Sequence, residues 1–259
     1  MSDTTIGYKA QDVGVTYGGF VTRAQSFDVN VTYPARNLYQ LGTLVTVGSV
    51  VSATQYAATL TRYSIGSGPV TGTWAAIIAQ AGVDLSCAKF GIGSAKCVGV
   101  TFTGRVGTPA TETYTFEGTS LLTSGGASEA TPTGTAANTG PDIVLSTGTR
   151  GASYTVTCTA NVNRLEEFGE ADVVGVVMEQ PTVRATIEHY SSAAGGAGTV
   201  YTPAAPGTLT ITVGDLTLAL TEIVSSAYNG RGTVGGWAVE SWSYLCGGDG
   251  DATGGLTIS

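Results

Sequence analysis

His189 is the chain's single histidine, and Glu112 and Glu240 are glutamates set beside aromatic residues. These are the side-chain types that move protons: an imidazole as general base, or two carboxylates converging on one glycosidic bond. Cys87, Cys97, Cys158 and Cys246 have no C-x-x-C spacing, which argues against a zinc site. Cys87 and Cys97 would bond if they faced each other across a hairpin; the alternative is four small buried side chains in a reducing compartment. Asp249-Gly-Asp251 supplies two carboxylates with no EF-hand pattern after them and reads as a loop. Gly91-x-Gly93 lacks the third glycine of a dinucleotide fingerprint and reads as a turn. No nucleophile elbow, phosphate-binding loop or H-E-x-x-H is present. Asn30-Val-Thr32 is a glycosylation sequon by pattern alone, inside a predicted strand.

These candidates are positioned by a repeat. Shifted by 127 residues, Thr22–Ser64 lies on Thr149–Ser191 without a gap, and 14 of the 43 columns are identical. Leu38-x-x-Leu41-Gly42 meets Leu165-x-x-Phe168-Gly169, Val47-Gly48 meets Val174-Gly175, and Tyr63-Ser64 meets Tyr190-Ser191. A shift of 128 aligns Glu112-Thr-Tyr-Thr-Phe116 with Glu240-Ser-Trp-Ser-Tyr244. His189 then falls on Arg62. A catalytic base replaced by arginine in its twin is unexpected, so an exposed or interface side chain is the better reading. Glu112 and Glu240 are expected at the same spot in separate copies rather than in one cleft. The expectation is no catalytic residue, no cofactor, no metal and no enzyme. Two copies of one strand-rich unit point instead to a closed ring with an even number of units.

Composition agrees. Charged residues are 12% of the chain and glycines number 38. A charge-poor surface is either coated with Thr and Ser or buried against partner subunits. The net charge of −8 and the 11 scattered basic residues argue against a nucleic-acid binder. Met1-Ser-Asp-Thr-Thr lacks the regions of a secretory signal. No apolar run reaches the ~20 residues of a membrane span. Synthesis in the cytosol, no membrane and solubility until assembly are expected.

Period-two alternation marks strands: Phe27, Val29, Val31 and Tyr33 in the first copy, Tyr154, Val156 and Cys158 in the second. Strands are also expected over 44–51, 55–63, 85–90, 96–104 and 111–117, and over 173–178, 182–190, 208–213, 216–224 and 237–245. Leu38 with Leu41, and Leu165 with Phe168, sit at i, i+3 before a glycine, which predicts one or two helical turns projecting from the sheet. Thr73–Gly82 predicts a short capped helix in the first copy; Ala193–Gly207 is Gly- and Pro-rich, so its counterpart is lost or shortened. The organisation expected is an N-terminal arm (1–20), a first domain (21–123), a low-complexity linker (124–144), a second domain (145–248) and a Gly-rich tail (249–259).

The order of strand, L-x-x-L/F-G excursion, V-G strand and strand ending in Tyr-Ser, given twice, resembles the tail tube fold of long-tailed bacteriophages. The resemblance covers roughly residues 20–123 and 145–246. It implies a mainly β chain of two tandem β-sandwich or barrel domains of tail-tube type, each with at most one short helix. It also implies a structural virion protein: three chains form a pseudo-hexameric ring, and rings stack into a tail tube that is a conduit for DNA. Implied partners are further copies of the chain, a tape measure protein, and tail terminator and distal tail proteins, with viral DNA as passing cargo. The implied location is the virion tail. The family offers no catalytic residues. Leu38, Leu41, Leu165, Phe168, Tyr63 and Tyr190 are the expected subunit or ring contacts, with the arm and the linker ordering on assembly.

A rival reading is a tandem β-sandwich adhesive or decoration module on a capsid, tail tip or cell surface. Such modules bind through aromatic-rich loops, whereas Tyr33, Tyr63, Tyr114, Tyr190, Trp242 and Tyr244 sit in predicted strands.

Overall fold

The computed structural model describes residues 4–39, 46–123, 144–145, 151–190, 207–231, 239–247 and 253–259. Its first half runs β1 (Thr4–Tyr17), β2 (Phe20–Tyr33), β3 (Ala35–Tyr39), β4 (Thr46–Val51), β5 (Gln55–Tyr63), β6 (Gly72–Thr73), α1 (Trp74–Ala79), β7 (Val83–Cys87), β8 (Gly91–Arg105), β9 (Thr108–Gly118) and β10 (Ser120–Leu122). Its second half runs β11 (Val144–Leu145), β12 (Gly151–Leu165), β13 (Gly175–Tyr190), β14 (Gly207–Val213), β15 (Leu216–Arg231), β16 (Val239–Cys246) and β17 (Leu256–Ile258).

The fold is almost entirely β, as expected. In the sheet, β8, β7, β1, β2, β5 and β9 follow one another, and β9 pairs back onto β8, closing a six-stranded antiparallel barrel. On the other side β8 pairs with β12, and the sheet continues through β13, β16, β15, β14 and β11. Alternation fills the barrel: Phe27, Val29, Leu60, Phe102, Tyr114 and Phe116 are fully buried. One contiguous hydrophobic core joins these residues to Tyr154, Val156, Ile187 and Leu218 of the second half.

The sequence repeat reappears as a repeat of pairing. Val29 faces Ala58 across β2 and β5, and their counterparts Val156 and Ala185 face each other across β12 and β13. Arg62 faces Glu112 across β5 and β9, and His189 faces Glu240 across β13 and β16. The β8–β9 ladder slips between Cys97 and Gly99; the β15–β16 ladder slips between Ser225 and Ala227, 128 residues on. The β7–β8 slip at Val83/Leu85 recurs between β14 and β15 at Gly207/Leu209. Bulges are specific local features, so two of them at matching places tie the halves together more tightly than strand count does.

Four expectations are corrected. Residues 4–17, expected in an arm, form β1, which pairs with β2 along its length and with β7 near its end. Gly18 and Gly19, with φ of 54° and 88°, make the tight turn that a two-residue hairpin requires. The second half has a counterpart of this strand: Leu145 of β11 opposes Ile211 of β14 much as Val15 of β1 opposes Cys87 of β7. The supposed helical turns are hairpins instead. Leu38 faces Gly48 across β3 and β4, and Leu165 faces Gly175 at the end of the β12–β13 ladder. An i, i+3 apolar pair before a glycine is also what a strand end and its turn produce: Glu170 N–H donates to Glu167 C=O at 3.2 Å, and Gly169 takes φ 95°. Finally, the tail contains β17, whose Leu256 and Ile258 are buried; β17 pairs with β15 and with β6.

α1 lies where expected, shorter than expected. Thr73 Oγ1 accepts from Ala76 N–H at 3.2 Å, and Trp74 and Ile77 are buried. The linker up to residue 143, Leu41, and the place of a second helix (193–206) lie outside the described residues. All four cysteines are free and buried.

Candidate functional site: a junction, two acid–base pairs and exposed strand ends

The halves meet along β8. Its residues Gly99–Arg105 carry β9 on one edge and β12 on the other, with Phe102 opposite Val156 and Gly104 opposite Tyr154. Gly104 is required there: a Cβ at that position would come within 2.4 Å of the Tyr154 ring. A second contact reinforces the first. Thr54 N–H donates to Ala171 C=O at 2.9 Å, Thr54 Oγ1 to the same carbonyl at 3.1 Å, and Tyr56 Oη to Asp172 Oδ1 at 2.7 Å. Ala53, Val173 and Val176 make a small apolar cluster beside these bonds. Burial, then the hydrogen bond to Asp172 and that residue's charge, push the Tyr56 phenol up to about 12. Arg164 of β12 bridges to Glu117 of β9 at 2.7 Å; burial raises the Glu117 carboxyl and Arg164 opposes the rise.

The duplicated position beside this junction holds two acid–base pairs. In the first half Arg62 Nε lies 3.4 Å from Glu112 Oε2, both side chains buried. The guanidinium also donates to Tyr63 C=O at 3.0 Å, Thr22 Oγ1 at 3.1 Å, Ser67 C=O at 3.0 Å and Ile65 C=O. Tyr114 Oη donates to Glu112 Oε2 at 2.6 Å. Burial, with the Glu112 charge and hydrogen bond, raises the Tyr114 phenol well above its ordinary value. In the second half His189 Nε2 lies 3.1 Å from Glu240 Oε2, both partly buried. Glu112 and Glu240 are thus at one repeat position, as expected, with β8, β12 and β13 between their strands. Arg62 is fixed by bonds to three backbone carbonyls and a hydroxyl, which suits it to holding the 62–67 segment rather than to meeting a substrate. His189 was recognised in the sequence but its partner was not. The signal was available: Arg62/His189 and Glu112/Glu240 each align, and a strand order placing β5 next to β9 turns two alignments into one pair.

The expected contact residues divide. Phe168, in the β12–β13 turn, is fully exposed, and Leu165, Val174 and Val177 beside it are about half exposed. Tyr63, at the end of β5, is 42% exposed. Leu38 lies opposite Gly48 in the β3–β4 ladder, and Tyr190 ends the β13 ladder opposite Val239; their side chains lie outside the described residues, as does Leu41 altogether. A further apolar surface was not anticipated: Val224 and Tyr228 on β15 are 54% and 51% exposed. Tyr228 leans on Trp242, with ring centroids 4.5 Å apart.

Burial pushes the Cys97 and Cys246 thiols up to about 12 and the Cys158 thiol well above its usual range. Such thiols are poor nucleophiles and poor metal ligands. Among the described residues no cluster of three or more His, Cys, Asp or Glu could hold a metal. No helix there is long and apolar enough to cross a membrane. No protein-family model and no curated protein matches the chain.

Proposed function

We propose that the chain is a structural protein that assembles with itself, as two tail-tube-type domains in tandem, into pseudo-six-fold rings of three chains that stack into a tube. The observation that supports this best is the repeated pairing, bulges included. Two copies of one unit are joined edge to edge by β8 and β12, and a repeated edge-to-edge step is how a ring is built. The exposed tip formed by Leu165, Phe168, Val174 and Val177 supplies an apolar patch for contact between rings. The charge is compatible with a conduit. Three chains at −8 sum to −24 (3 × −8). An acidic wall repels phosphates over about 8 Å at physiological salt, so DNA passes without sticking.

Negative-stain images of the purified protein test the proposal. Rings or tubes are expected; discrete particles at every concentration would favour the adhesive reading. Phe168→Asp, alone and with Leu165→Asp, is expected to abolish tubes while the far-ultraviolet spectrum and melting temperature of the unassembled chain stay unchanged. Normal tubes in the double variant would remove the hairpin tip from the ring contact.

A further inference from the structure

We infer that the outer edge of β15 is the docking surface for the next copy of the chain, which offers its β2 after releasing the first half of β1. The inference rests on the self-assembly proposed above and assigns the strands that make it.

The repeat offsets supply the argument. β8 and β15 correspond with an offset of 128, fixed by the bulges at Cys97/Gly99 and Ser225/Ala227. On β8, residues Gly99–Arg105 are covered by β12, and Val100 and Phe102 are buried. On β15, residues from Val224 pair with β16 along one edge, and no described strand lies on the other. The residues equivalent to Val100 and Phe102 are Tyr228 and Gly230, both exposed. Among the described residues, the same strand is interior in one copy and open in the other. An open edge with apolar side chains is a template for strand addition.

The neighbour's identity follows from the second offset. β12, which covers β8, corresponds to β2 with an offset of 127. In the isolated chain that edge of β2 carries β1, with Gly7 opposite Asn30 and Thr5 opposite Thr32. The equivalent edge of β12, Ser153–Thr159, carries β8 instead. A β2-type edge therefore accepts either of two covers, and the chain displays one of each. Applying both offsets to the β8–β12 register sets Tyr228 opposite Val31, Asn229 opposite Asn30, Gly230 opposite Val29 and Arg231 opposite Asp28. The last pair puts Arg231 where Lys9 faces Asp28 in the isolated chain, so the exchange keeps opposite charges at facing positions. Exchanging β1 for β15 trades one hydrogen-bonded ladder for another, which is nearly neutral. Covering Tyr228 supplies the net drive. Until a partner arrives, β1 keeps the β2 edge from pairing at random.

Disulfide trapping tests this, since directly opposed cross-strand residues lie within bonding distance and the native cysteines are buried. Single variants Asn30→Cys and Asn229→Cys, mixed and oxidised, are expected to give covalent dimers; the double variant is expected to give covalent trimers. Gly7→Cys/Asn30→Cys, oxidised within one chain, is expected to abolish assembly, and reductant is expected to restore it. Tubes without Asn30–Asn229 crosslinks would overturn the docking assignment and leave the tube reading standing. Unimpaired assembly of the locked variant, or crosslinking of Asn229→Cys to Gly7→Cys instead, would show that β1 stays in place and would overturn the exchange. Failure of the wild-type chain to associate under any condition would overturn both.

Discussion

Arg62–Glu112–Tyr114 in the first half and His189–Glu240–Trp242 in the second occupy the same register, yet they do different work. The first set is sealed: the side chains of Arg62 and Glu112 are 3% and 1% exposed. A fixed guanidinium there binds four further acceptors. The second set is open to solvent at its rim, with exposures of 12% and 14%, and its tyrosine is replaced by an indole. The lesson is that the duplicated backbone tolerates either arrangement, while burial decides how much each pair matters. Removing one member of a buried pair strands the other charge at a cost of about 3–5 kcal/mol. A partly exposed pair is worth about 1 kcal/mol or less. Urea denaturation of Arg62→Ala and His189→Ala should show that contrast, with the arginine loss several-fold larger. Equal losses would break the comparison.

The phenols sharpen the same contrast at a smaller scale. Burial, chiefly, lifts Tyr17 to about 12, and burial beside Glu112 lifts Tyr114 well above its ordinary value. The native chain therefore holds these protons after the unfolded chain has begun to release them near pH 10. Stability is full below that pH and falls as pH rises towards 12, by at most about 1.4 kcal/mol per pH unit for each such phenol. Denaturation midpoints at pH 9 and pH 11 measure the slope. Tyr17→Phe should flatten it, whereas Trp242→Phe, at the equivalent of Tyr114, should leave it unchanged because an indole does not titrate here.

Much of the fold was legible as an offset. Alternation located β2, β5, β9 and their counterparts, and the alignment of Thr22–Ser64 with Thr149–Ser191 carried their register. The failures share a cause: short-range spacing does not state which partner a segment has. In β1 the apolar residues change parity between Ile6, Tyr8, Ala10 and Val13, Val15, Tyr17, so no single alternating face announces a strand. Leu165, Phe168 and Gly169 fit a helix stop locally, and the ladder of Asn161–Leu165 against Gly175–Glu179 overrides that fit. Glycines hid β17, where only Leu256 and Ile258 reveal the buried face. The buried pair at Arg62 becomes legible only once β5 is placed next to β9, because the alignment of each residue with its copy says nothing about the strand beside it.

The junction offers the finest comparison. Thr54 and Tyr56 clasp Ala171 and Asp172, but the equivalents of these two residues in the second half are Pro181 and Val183. Proline has no N–H to donate and valine has no hydroxyl, so the second half carries no equivalent of these donors. Pro181 is accommodated because the β12–β13 ladder slips at Thr159/Asn161, where its missing donor costs no bond. The clasp is thus a feature of the first half's contact with residues 171–172 alone. Tyr56→Phe removes a hydrogen bond to a carboxylate and should cost about 1–2 kcal/mol. Native-state hydrogen exchange should show the loss first at Ala171–Val173, with the amides of β15 and β16 protected as before. A uniform loss across both halves would mean that the clasp stabilises the whole sheet rather than the junction.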